Sequence, residues 1–341
     1  MQNVIAGPAQ GHIPQGFLDA VSGRVFPDAA AIDGFFAGLG PHPGFIAWFN
    51  ATRNARAWAG KSIPATAACA ARFRQFWDDG GQVFGAPPDL LHFLCLMSIM
   101  VNEVGGDLLP AEERVNTPQG NPPGLAYAFN AIAGLKRSYN TLAGNLPAGH
   151  LFNDPDYLAA HGAKPRPDNF DPADPAWNGE TWPGAVAANP DPAVSGFLLE
   201  ADFFKFRGRG LIQTTTRANY LQLIRYVQAY TGTDPAVLAL QTAWAGGDPA
   251  TLATTSSNDD WHKLFFGQTL DIARQAIVIH NAGSGNYLAL ASNDAARLNG
   301  TLAGSVYNMG HRISGSGSYA LSFQARIFTL CESIGAALAV A

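Results

Sequence analysis

The chain has 341 residues, with 21 Lys+Arg against 26 Asp+Glu and a formal net charge of −5. That balance argues against a nucleic-acid interface built on a basic face, and the length admits one large domain or two ordinary ones. Apolar residues at 47% and aromatics at 11% exclude wholesale disorder, while only 14% charged residues leave a surface that relies on Ala, Gly, Asn, Thr and Pro.

The first residues lack a basic region followed by an apolar stretch, so no secretory signal is visible and a soluble, cytoplasmically made protein is expected. Residues 1–62 read as an N-terminal extension of unassigned role, with a helix expected from Phe45 to Trp58 after a turn-rich Gly38–Gly44. A second helix is expected from Pro64 to Trp77, ended by Asp78-Asp79-Gly80-Gly81. Pro87-Pro88-Asp89 then opens LLHFLCLMSIMVNE, and Gly105-Gly106 closes it, which brackets a helix of about 16 residues. It is apolar nearly all round and belongs in a core. Its longest apolar run, Leu90 to Val101, carries His92 and Ser98 and is too short to span a bilayer.

More than half of the 23 prolines fall between Pro110 and Pro192. The stretch 117–200 therefore reads as a long Pro-rich insertion of loop, interrupted by one helix over 124–139. Short extended segments are expected at 203–207 and 211–214, around Gly208-Arg209-Gly210. Tyr220, Leu223, Ile224, Val227 and Tyr230 follow helical spacing, and further helices fit 260–281, 287–299 and 319–339. The fold class is mainly α (α+β) with a small β element. Cys69, Cys95 and Cys331 are too few for a disulfide framework and lack paired metal spacing, so reduced thiols are expected.

No HExxH, GxSxG, Walker loop or complete GxGxxG is present, so neither a metal nor a cofactor is expected. Glu103 stands out at the C-terminal end of the apolar helix. Burial and the negative end of the helix dipole both favour its protonated form there, which is what a general acid needs. Glu112 and Glu113 follow on a loop. A second carboxylate across a cleft, holding a water, would complete an inverting glycosidase. Thr215 and Asn219, i and i+4 at the start of the next helix, share a face that suits a water or an N-acetyl group. The hydroxyls of Thr214 to Thr216 equally suit the N-cap of that helix. Trp177 and Trp182 in the insertion either stack on sugar faces or pin the loop to the body.

FLCLMSIMVNEVGG, the two acids, and FKFRGRGLIQTTTRANY together resemble the family 19 glycoside hydrolases, which comprise chitinases and phage-type endolysins with a lysozyme-like helical fold. The family pattern is a buried helix ending in HE(S/T)xGG, a second glutamate after a loop, and GRGxIQLTxxxNY. Arg312-Ile313-Ser314-Gly315-Ser316-Gly317 echoes the family's C-terminal RINGGxNG. The resemblance covers roughly 65–341 and implies a glycoside hydrolase domain over 63–341.

Residue by residue, the resemblance implies that Glu103 is the general acid. It implies Glu113 as the general base, three residues before Asn116, although Glu112 fits the spacing from Glu103 better and both stay open. Thr215 would position the attacking water and Asn219 contact the N-acetyl group, with Arg209, Gln213 and Arg312 shaping the cleft. Asn102 stands where the family has His, Val104 replaces Ser/Thr, Thr214 replaces Leu, and Ser314 replaces Asn.

The activity implied is metal-free, inverting hydrolysis of β-1,4 bonds between N-acetylhexosamines. Bacterial cell-wall peptidoglycan is favoured over chitin because the GRGLIQ-T-RANY wording is nearer the phage-type branch. An antibacterial endolysin that degrades the cell wall would be released by a holin or carried by a delivery machine. The alternatives are a chitinase of the same family and a non-catalytic cell-wall-binding component.

Overall fold

The computed structural model describes residues 17, 23–112, 206–215, 217–256, 258–267, 270–290, 306–314 and 317–339. The Pro-rich stretch 117–200, the helix expected over 124–139, and Glu113 lie outside them. Among the described residues 64% are helical against one ribbon of two-residue strands, so the chain is mainly α. None of these helices is long and apolar enough to cross a membrane. The chain divides into two compact units, Met1–Leu109 with Ile277–Ala341, and Pro110–Ala276.

In the first unit, α1 (Ala29–Ala37) starts where the Asp28 carboxylate accepts from the Ala31 N–H. Helix α2 (Phe45–Thr52) has Gly44 at its N-cap and no side chain of its own there. Asp33 of α1 supplies the missing acceptor, taking the Phe45 N–H at 2.9 Å. The helix stops at Thr52, short of Trp58, because Arg53 turns extended. Asn54 then folds the chain locally by accepting from the Arg56 and Ala57 N–H groups. Helix α3 (Ala67–Trp77) is capped by Thr66, and a one-turn α4 (Gly81–Phe84) comes next.

Helix α5 (Leu90–Val104) is the axis of this unit. Asp89 caps it through the His92 N–H at 2.7 Å, and every residue from Leu90 to Val101 except His92 is buried. Phe93 collects rings from four directions, with Trp77 and Phe45 at 4.8 Å, Phe36 at 5.8 Å and Phe26 at 6.0 Å. Residues 26–48 thus share one aromatic core with α5, each buried ring contributing about 1.5–3 kcal/mol. A 3-10 turn (Tyr287–Leu290), a helical stretch over 306–314 and the long α11 (Gly317–Leu338) complete the unit. Cys69, Cys95 and Cys331 are buried free thiols.

The second unit holds the ribbon. Strand β1 (Ala111–Glu112) pairs antiparallel with β2 (Arg209–Gly210), Ala111 opposite Gly210 and Glu112 opposite Arg209. After it in the chain come α6 (Arg217–Gln228), α7 (Pro235–Ala243), α8 (Pro249–Thr255) and α9 (Asn258–Phe265). The helical spacing from Tyr220 to Val227 is realised as the buried face of α6. Residues 211–214, expected to be extended, instead form a tight loop in which the backbones of Arg209 and Thr214 exchange two hydrogen bonds, at 3.1 and 2.9 Å. Gln213 takes a positive φ of 56° to close it. The helix expected over 260–281 is two, α9 and α10 (Asp271–Gly283). They separate around Gly267, where a Cβ would come within 3.2 Å of the Asp234 carboxylate.

Candidate active site

Glu103 occupies the last turn of α5 and is half-buried. Two glycines shape the turn after this helix. Gly105 has φ +81°, and a Cβ on Gly106 would come within 1.7 Å of the Ser62 carbonyl oxygen, so the 61–63 backbone crosses directly over it. The turn is tied to α3, where Arg72 Nε donates to the Asp107 carbonyl at 2.7 Å and the Cys69 thiol to that of Gly106 at 3.3 Å.

The Glu103 carboxyl is held on one side. Its Oε1 accepts from Tyr319 Oη at 2.7 Å and from Asn102 Nδ2 at 3.0 Å, while no described residue donates to Oε2. Asn102 is itself fixed. Its Oδ1 accepts from the Arg326 guanidinium and, at 3.4 Å, from Lys61 Nζ, so the amide nitrogen faces Glu103. Lys61 also donates to the Asn102 backbone carbonyl at 2.6 Å, a cation at the negative end of α5. Arg326, 7% exposed, spans from Asn102 to the Ala57 carbonyl and lies over the Trp58 ring.

This cluster carries one carboxyl and two cations, and its shifts reflect that. Burial first, then the Glu103 charge, push the Tyr319 and Tyr287 hydroxyls well above the usual tyrosine value. Lys61 is drawn down by burial and by Arg326, against the pull of Glu103. Burial draws Arg326 down as well, against Tyr319 and Glu103.

Behind Tyr287, whose Oη lies 3.1 Å from His280 Nδ1, burial holds His280 below its ordinary value of about 6.5. The unfolded chain therefore takes up this proton first. The contribution of neutral His280 to stability is whole above about pH 6.5 and is lost as the pH falls through that value towards the lower folded one. Urea unfolding at pH 7 and pH 5 is expected to show a smaller acid loss in His280→Gln than in the wild type; equal losses would contradict this.

In the second unit the GRG-to-NY segment forms a different kind of site. Glu112 Oε2 accepts from Arg207 at 2.8 Å and from Arg209 Nε at 3.2 Å, and His262 Nδ1 lies 3.8 Å from Oε1. Arg209 is wholly buried and donates to Tyr220 Oη at 3.1 Å, and Tyr220 donates onward to the Arg207 carbonyl at 2.7 Å. Burial pushes the Tyr220 hydroxyl up, against the pull of Arg209. Its ring sits among Trp261, Phe206 and Phe265. Gly210, φ +88°, brings the ribbon onto the Phe265 ring, which a Cβ would meet at 2.9 Å.

Gln213 Nε2 donates to the Ala111 carbonyl at 3.0 Å and to that of Gly210 at 3.3 Å, lacing the loop to β1. Asn219 Nδ2 donates to the Thr215 carbonyl at 2.8 Å, and both residues are half-buried. Thr214 Oγ1 is buried without a partner among the described residues, at the position where the resemblance expects Leu.

The structure thus places Arg209, Gln213, Thr215 and Asn219 on one short segment of the second unit and pairs Glu112, from the other strand of the ribbon, with Arg209. In the first unit Arg312, exposed on the 306–314 helix, donates to the Ser284 and Gly285 carbonyls at 3.1 and 2.7 Å. Sequence reading did not reach Tyr319, Arg326, Lys61 or Arg207. The first three lie 216, 223 and 42 residues from Glu103 along the chain, beyond any local motif. No family model, curated protein or solved structure matches the chain.

Proposed function

We propose that the chain is a peptidoglycan-degrading glycoside hydrolase of the family 19, lysozyme-like type, acting at the bacterial cell wall as an endolysin does. The observation that carries the reading is the Glu103 carboxyl at the closed end of an apolar helix, bonded through Oε1 and with no described donor on Oε2. A carboxylic acid has one transferable proton. With Oε1 accepting two hydrogen bonds, Oε2 is the oxygen that would carry the transferred proton in this reading.

The chemistry then runs as an inverting displacement. Glu103 passes its proton to the glycosidic oxygen as the C1–O bond breaks, and a water adds to C1 from the opposite face. The general base takes the proton of that water, and solvent returns it to Glu103. No metal takes part in this scheme. Glu113 is the base in this reading, because the Oε2 of Glu112 is already held by two arginines and that carboxylate serves as their counter-ion. Thr215 orients the water. Asn219, whose amide nitrogen is held by Thr215, offers its carbonyl oxygen to the N–H of an N-acetyl group. Arg209 and Gln213 act by holding the loop in shape, and Arg312 by clamping the 284–285 turn. A holin or a delivery machine would bring such an enzyme to its substrate.

Mass spectrometry of products from purified sacculi and from colloidal chitin tests the substrate. Muropeptides with a new reducing sugar, and little release from chitin, are expected. Release from chitin alone makes the chain a chitinase. Cut peptides with intact glycan overturn hydrolysis of the glycan and make the chain a peptidoglycan peptidase or amidase; no cut at all from a folded protein overturns it as well and leaves a cell-wall-binding role.

A further inference from the structure

We propose that Tyr319, Asn102 and Arg326 are positioning residues that hold the Glu103 carboxyl in one orientation, with Oε1 closed and Oε2 presented to the bond being broken. The inference rests on the reading of Glu103 as the general acid and adds to it Tyr319 and Arg326, which no motif contains, and a task for Asn102.

A glutamate side chain at a helix end has three rotatable bonds and, left alone, presents either oxygen in many directions. Here two donors from different elements converge on one oxygen, Tyr319 from α11 and Asn102 from the preceding position of α5. An asparagine amide can present either its nitrogen or its oxygen. Arg326 and Lys61 settle which, since both are donors and both reach Oδ1. Arg326 is in turn seated by the Ala57 carbonyl and the Trp58 ring. The chain from a buried guanidinium through an amide to a carboxyl is therefore directional. It also gives Asn102 a task where the family resemblance expects His: a neutral donor whose orientation is set by a cation.

The bonds to Oε1 change strength during the reaction. When the Oε2 proton moves to the glycosidic oxygen, Glu103 becomes a carboxylate, and the donations from Tyr319 and Asn102 become charge-assisted. Interactions stronger after proton transfer than before accelerate the step that needs the proton. They do nothing for a leaving group that departs without one.

That difference is the test. Tyr319→Phe is expected to lower kcat on sacculi by about tenfold with KM unchanged, the size of one hydrogen bond to a charged group. On a nitrophenyl glycoside of an N-acetylglucosamine oligomer, whose leaving group needs little protonation, the same variant is expected to stay within about twofold of wild type. Equal losses on both substrates, or no loss on either, overturns the proposal. A second measurement does not depend on turnover. In 15N-labelled full-length protein, the Asn102 side-chain amide resonances are expected to move in both Glu103→Ala and Arg326→Gln, and resonances unmoved by either overturn the proposal. A wild type without activity, or a Glu103→Gln variant as active as wild type, defeats the reading of Glu103 as the acid, whereas full activity lost in Glu103→Gln with a uniform Tyr319→Phe profile defeats only the positioning.

Discussion

Glu103→Gln is expected to lower the rate of glycan release from purified sacculi by about 10²–10⁴-fold while leaving the thermal unfolding midpoint within a few degrees of wild type. Glutamine has the same shape and keeps an oxygen that can accept from Tyr319 Oη and Asn102 Nδ2, so the cluster around α11 and Lys61 has no reason to open. What it lacks is the proton on the other atom. The cost therefore falls on the protonation of the leaving group and not on binding, and affinity for undigested sacculi in a pull-down is expected to hold. A variant that still clears sacculi at the wild-type rate would contradict the assignment. A variant that loses both binding and clearing would show that the residue is structural.

The second large effect is on stability. Glu112→Ala removes the carboxylate beside two arginines, one wholly buried and the other 5% exposed, and is expected to cost about 3 kcal/mol in urea unfolding. The guanidinium of Arg209 also holds Tyr220, so the loss spreads into the ring cluster of Phe206, Trp261 and Phe265. Glu112→Gln retains an acceptor without the charge and should fall between the two. A cost under about 0.5 kcal/mol for Glu112→Ala would mean that the ribbon is not anchored by this pair, and the preference for Glu113 as base would lose its physical ground.

How much of this was legible in the chain depends on the range of the interaction. Helix α5 was readable almost to the residue, because its punctuation is local: Asp89 as cap, Gly105 as stop, and an apolar run between. The buried face of α6 was readable for the same reason. Helices α1, α7 and α8 carry equally local signals, Asp28 and the two Asp-Pro pairs Asp234-Pro235 and Asp248-Pro249, each accepting at a helix N-terminus. The 211–214 segment misled because Leu211 and Ile212 favour strand, whereas the two bonds between Arg209 and Thr214 close a loop too short for one.

Within the candidate site, Glu103 was readable from its place at the end of a helix, and the Gly105-Gly106 pair from its unusual composition. The grip on Glu103 was not. Tyr319 belongs to a helix whose own pattern says only that it is amphipathic, and nothing near it in sequence points to a carboxyl 216 residues earlier. Glu112 and Glu113 were indistinguishable by spacing. Only the arginines facing Glu112 separate its chemistry from a base, and Arg207 and Arg209 reach it across 95 and 97 residues.

The most direct measurement is the anomer first formed when the chain cuts a soluble β-1,4-linked N-acetylhexosamine oligomer, read by proton NMR within minutes of mixing and before mutarotation. A single displacement by water, assisted by Glu103, predicts the α anomer. The β anomer appearing first would contradict the account, since it requires an enzyme-bound intermediate that a water-activating base does not form.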